Sequence, residues 1–148
     1  MESADTERQE MAIDQESSEI KSVVAAYLDA YNRADFDACL ACYRLPLTFI
    51  TARGVAVLNG SEEFLGMWRK THADMTSEGW ARTVLDEIHV RLLDDGLAFA
   101  SVRVTRLRKD GSPLETSGGV YTLRKGREGW KIVANVMQRV ENMLRFDD

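Results

Sequence analysis

Little in this chain is equipped for metal or covalent chemistry. Its 148 residues include only two cysteines and two histidines. Cys39 and Cys42 have the C-x-x-C spacing, but they lie inside a helical pattern, ACLACY, whereas redox pairs follow a strand at a helix start. A zinc site built on them would need two more ligands, and the only histidines are His72 and His89. Both cysteines are read as small buried hydrophobes. There is no G-x-G-x-x-G, phosphate loop, metal triad or nucleophile elbow, so no metal and no cofactor is expected. No apolar run approaches the ~20 residues of a membrane span. The first ten residues, MESADTERQE, have neither the basic end nor the apolar core of a signal peptide, so a cytoplasmic location is expected. A formal net charge of -5 argues against nucleic acid or an anionic membrane as partner. No internal repeat and no low-complexity segment is present.

What is present reads as one soluble domain. Hydrophobic residues make up 45% and charged residues 29%, and the length allows a core without disulfide or metal staples. Residues 1–16 are acidic with little periodicity and predict a flexible or partly helical tail ahead of a domain at 17–148. Residues 24–51 organise that domain. Ser17 is a candidate N-cap, and Ile20, Val23, Val24, Tyr27, Leu28 and Tyr31 form one face of a helix. Arg33–Asp35 breaks it, and Asp35 can cap a second helix that buries Phe36, Cys39, Leu40 and Tyr43. Pro46 cannot continue that helix and opens a strand. After a short strand at 55–58, Ser61 is expected to cap a third helix. Glu62 and Glu63 suit its dipole, and Phe64, Leu65, Trp68 and Met75 are its buried side. The second half reads as long strands joined by Asp-Gly and Gly-rich turns, which means an antiparallel meander.

The strand at 97–108 has two unlike faces. One carries Phe99, Ser101, Arg103 and Thr105, and the other carries Ala98, Ala100, Val102 and Val104. The mixed face suits a pocket. The smooth face would be an exposed apolar patch if left open, and a homodimer through that outer sheet face would cover it.

YLDAYNRAD at 27–35, GSEEFLGMW at 60–68, DDGLAFASVRV at 94–104 and GWKIV at 129–133, in this order, resemble the NTF2-like (SnoaL-like, ketosteroid-isomerase-like) proteins. The resemblance covers nearly the whole chain after residue 17. It implies an α+β cone in which three N-terminal helices pack in a curved, mostly antiparallel sheet. Such folds house isomerases, dehydratases, cyclases, epoxide hydrolases and binding domains, so fold alone does not settle function. In the isomerase pattern the catalytic tyrosine falls on Tyr27, where a phenol would hydrogen-bond an oxyanion. The general base falls on Thr51, which cannot take a proton near neutral pH. The second acid falls on Tyr121, or on Gly119 if the following loop differs by two residues. No catalytic residue is therefore assigned.

The resemblance also implies a set of cavity-facing side chains. They are Tyr27, Thr51, Met67 and Trp68 from the first half, then Ser101, Arg103, Thr105, Tyr121, Val136 and Gln138 from the sheet. Arg103 would take a planar anion such as a carboxylate, or else pair with Asp86 or Glu115. Tyr27 and Tyr121 would offer hydroxyls beside it. His89 belongs to a polar outer face, His72 to a rim, and Trp130 pins the last strand to the core. The expected function is binding of a small, mostly apolar molecule in the cone. The alternatives are a lyase, cyclase or isomerase with tyrosine donors, and a protein-interaction module without a ligand.

Overall fold

The computed structural model describes residues 2–146. Helix α1 spans Glu2–Asn32, without a break at Ser17. The expected tail is helix because its residues are mostly strong helix formers, Glu, Gln, Ala, Met and Arg. The second half of α1 packs into the core: Ile20, Val24, Tyr27, Leu28 and Tyr31 are buried, while Met11 and Ile13 are exposed. The two halves join at Glu16. Its carboxylate accepts from Lys125 Nζ and from Trp130 Nε1, both at 2.6 Å. Trp130 is buried and anchors the last strand, as its sequence context predicts.

Ala34 turns the chain at φ 55°, and Asp35 N bonds back to Ala30 O at 2.9 Å. Asp35 then caps α2 (Phe36–Ala41) by accepting from Ala38 N at 3.1 Å. At the end of α1, the Asn32 side chain donates to Thr83 O and accepts from Thr83 N, each at 2.8 Å. That pair of bonds fixes the end of the helix to the sheet at Thr83.

Strand β1 (Tyr43–Thr51) begins before Pro46, which sits at a register shift against the neighbouring strand. It is followed by β2 (Gly54–Leu58) and by α3 (Ser61–Ser77). Gly60, not Ser61, occupies the N-cap of α3, and Ser61 is the first helical residue. α3 buries Phe64 and Trp68, whose rings stack with centroids 4.0 Å apart. The meander then runs through β3 (Trp80–Asp94), β4 (Leu97–Arg108), β5 (Pro113–Gly126) and β6 (Gly129–Gln138). Sheet order is β2-β1-β6-β5-β4-β3, antiparallel throughout except for the β1–β6 pair. Register shifts in β3 near Arg82 and Asp86 curl the long strands around the helices. This is the α+β cone that the sequence predicts. Among the described residues no helix is long and apolar enough to cross a membrane.

One expectation is reversed. The smooth face of β4 looks inward: Ala98, Ala100, Val102 and Val104 are all buried in the core. The mixed face, with Ser101, Arg103 and Thr105, is the outer one. Side chains alternate strictly along a strand, so the choice of face moves the whole set together. The smooth face therefore has no need of a partner protomer. The outer face is crossed by the chain after β6, where a short turn at Val140–Asn142 leads to Arg145, whose Nε bonds Glu87 at 3.1 Å.

Candidate functional site

A cavity of about 110 Å³ lies between α1, α3 and the inner face of the sheet. Its walls are largely aromatic, with Tyr27 and Tyr31 from α1, Phe49 from β1, Trp68 from α3 and Tyr121 from β5. Val102 and Val104 of β4 and Met137 of β6 complete the apolar lining. The volume is near that of an engineered cavity of ~150 Å³ that takes one benzene ring.

Tyr27 is held from several sides. Its hydroxyl accepts from Trp68 Nε1 at 2.9 Å, and its ring meets Tyr43 edge-on at 5.1 Å and Tyr121 at 6.2 Å. Burial, and then the neighbouring Tyr121, push the Tyr27 phenol well above its ordinary range. Burial raises Tyr121 as well, with Arg106 partly opposing it. Burial pushes Tyr31 up to about 12 despite Arg106. These phenols are neutral hydrogen-bonding groups at pH 7, not bases.

The cation at this cavity is Arg106. It shares the inner face with Val102 and Val104, and its guanidinium pairs with Glu115, the neighbouring residue on β5. The Arg106 side chain is 19% exposed and that of Glu115 55% exposed, so the pair bridges the cavity to solvent. Asn135 of β6 is a second polar side chain on the same inner face of the sheet, two strands away. It is buried, and its Oδ1 has no hydrogen-bond partner among the described residues. No Asp, Glu, His or Lys lines the cavity among the described residues.

Of the residues expected at the cavity, Tyr27, Met67, Trp68 and Tyr121 line it. Thr51 does not: it ends β1, and its hydroxyl accepts from Arg53 N at 3.1 Å. Ser101, Arg103 and Thr105 are on the outer face of β4. Ser101 is fully buried there with no partner for its hydroxyl among the described residues, Arg103 is exposed, and Thr105 donates to Asp86 at 2.5 Å. Val136 and Gln138 also point outward, since it is Asn135 and Met137 of β6 that line the cavity. The two acids named as partners for Arg103 are thus taken by Thr105 and Arg106. The sequence pattern does not point to Arg106 and Asn135, because alternation alone leaves open which face of β4 and β6 turns inward. The available signal was the inner-face run Val102, Val104, Arg106, with Glu115 soon after the turn.

The other candidates lie elsewhere. His89 Nε2 sits 2.5 Å from Glu87 Oε2 on the outer face. His72 packs among Tyr31, Phe36 and Trp80, and its Nε2 is buried without a partner among the described residues. Burial pushes the Cys39 thiol up to about 12 and raises Cys42 too, so neither is a ready nucleophile.

A curled sheet closing on helices around one small aromatic cavity defines the cone-shaped α+β class. The sequence model of the NTF2-like protein family DUF6841 matches residues 16–140, and the chain belongs to that family. Solved structures agree on the fold. An NTF2-like protein with a cystatin-like fold from Novosphingobium aromaticivorans is similar at 17% identity and TM-score 0.74, over 91% of this chain and 88% of that one. A domain of unknown function with a cystatin-like fold from Nostoc punctiforme is similar at 26% identity and TM-score 0.64, over 84% and 77% of the two chains. The protein Aln2 from a Streptomyces species is similar at 24% identity and TM-score 0.67, over 84% and 91%. No curated protein matches the chain in sequence.

Proposed function

We propose that this protein binds a small, mostly apolar carboxylate in the cone cavity, with Arg106 in the role expected of Arg103. The observation that carries the reading is a mostly buried guanidinium at the edge of an aromatic cavity, paired with a carboxylate on the solvent side. Glu115 pairs with the Arg106 guanidinium, and a ligand carboxylate can take its place. The ring walls supply apolar contact for the rest of the ligand. An enzymatic reading has less support, because the hydroxyls are present without a group that titrates near neutral pH.

The test is a thermal-shift screen of benzoate, benzamide and related pairs on wild type, Arg106→Leu and Arg103→Ala. A ligand at 100 times its Kd adds about 2.7 kcal/mol, a shift of several degrees in Tm. Acids should stabilise wild type and Arg103→Ala but not Arg106→Leu. If no acid shifts wild type, the reading is wrong.

A homodimer through the outer sheet face remains part of the proposal, on a different observation. Cross-strand register places Val55, Ile50, Val136 and Val120 in one row across that face, and Val55 and Val57 are 66% and 51% exposed. Sedimentation of wild type against Val55→Lys/Val57→Lys checks it: a monomer in both would refute the dimer. The cytoplasmic location expected from the sequence also stays a proposal, to be checked by cell fractionation.

A further inference from the structure

The cavity has a second polar end, away from Arg106. Tyr121 and Asn135 are cross-strand partners on β5 and β6, and both line the cavity. Asn135 is 3% exposed, and its Oδ1 has no hydrogen-bond partner among the described residues. Its cross-strand neighbour on the other side is Phe49, which offers no donor. A buried amide oxygen without a donor is costly, whereas leucine would fill similar space with no polar atom to satisfy. A group entering the cavity is placed to satisfy it.

We propose that Asn135 recognises a hydroxyl on the inner end of the ligand, so that the ligand class is a single-ring aromatic hydroxy acid. This rests on the carboxylate reading of the same cavity. A hydroxyl both donates and accepts, and so matches the carboxamide whichever way its amide is turned. Tyr121 pairs with Ala100, and Arg106 lies six residues further along β4, with Val102 and Val104 between them on the cavity wall. The two polar contacts therefore fall at opposite ends of an apolar stretch. The carboxylate and the hydroxyl should sit across the ring from one another. The cavity volume suits one ring and not a fused system.

Calorimetric titration with benzoate, phenol and 4-hydroxybenzoate tests this on wild type, Arg106→Leu and Asn135→Leu. Wild type should bind 4-hydroxybenzoate about tenfold or more tighter than benzoate. Asn135→Leu should melt at or above wild type and bind the two acids equally. Should that variant not fold, Asn135→Ala serves the same comparison. If wild type binds benzoate and 4-hydroxybenzoate equally, and both need Arg106, the carboxylate reading stands and the role of Asn135 is refuted. If neither acid binds wild type at millimolar concentration, the carboxylate reading itself fails and this assignment falls with it.

Discussion

Replacing Tyr27 with phenylalanine removes one oxygen from the centre of the molecule and leaves the ring in place. That oxygen accepts the Trp68 indole N–H at 2.9 Å, with Tyr27 8% and Trp68 4% exposed. An indole nitrogen can only donate, so the substitution strands it. A buried donor left unpaired costs about 1–3 kcal/mol. For a domain of this size each kcal/mol lowers Tm by about 2–4 °C, so Tyr27→Phe should melt roughly 2–12 °C below wild type. The ring contacts to Tyr43 and Tyr121 survive, which confines the loss to the hydrogen bond. Thermal melts followed by circular dichroism give the number, and a double-mutant cycle with Trp68→Phe isolates the pair. In the Trp68→Phe background the hydroxyl has lost its donor, so Tyr27→Phe should cost about 1 kcal/mol less or better. An unchanged Tm for Tyr27→Phe, or an equal cost in both backgrounds, would refute the argument.

Glu16→Ala removes the acceptor for both Trp130 and Lys125 and should cost about 1 kcal/mol, because the pair is partly open to solvent. The hydrogen bond from Lys125 holds the Glu16 carboxyl below its usual range. The wild-type advantage should thus be full above the unfolded carboxyl value of about 4.3 and fade as pH falls through the lowered folded value. Denaturant melts of both proteins between pH 3 and 7 check this, and an advantage that grows on acidification would contradict it. Native Cys39 should react slowly with an aromatic disulfide reagent at pH 8 and rapidly once unfolded, since burial pushes its thiol up to about 12. Fast labelling of Cys39 in the native state would show that the thiol is not sealed in the core.

The order of elements was legible because each boundary has a local chemical cause. Asp35 caps α2, Gly79 at φ 103° follows α3, and Gly96 at φ 69° turns β3 into β4. The start of α1 was not legible, since a polar segment without periodicity gives the same sequence signal whether it is coil or solvated helix. The site was half legible. Tyr27, Met67, Trp68 and Tyr121 were placed on the cavity, but Ser101, Arg103, Thr105 and Gln138 cannot share a face with Tyr121. Tyr121 stands opposite Ala100 on one side and Asn135 on the other, so a cavity-facing Tyr121 requires Val102, Val104 and Arg106 to face inward with it. Periodicity within a strand divides its residues into two sets. Only the pairing between strands says which sets belong together, and that information is not local.

The continuity of α1 past Glu16 makes it a helix with two kinds of hydrogen bond. Bonds beyond Ile20 break only when the core opens, while those before Glu16, on a stretch that leaves Met11 and Ile13 exposed, break whenever that stretch unwinds. Helix ends unwind and re-form within about a microsecond, so the amides of the first turns should exchange with solvent nearly as fast as in a free peptide. The amides near Tyr27 should exchange at the rate of global unfolding. A single uninterrupted helix would then read, in an exchange experiment, as a steep gradient with its step at the Glu16–Trp130 bond.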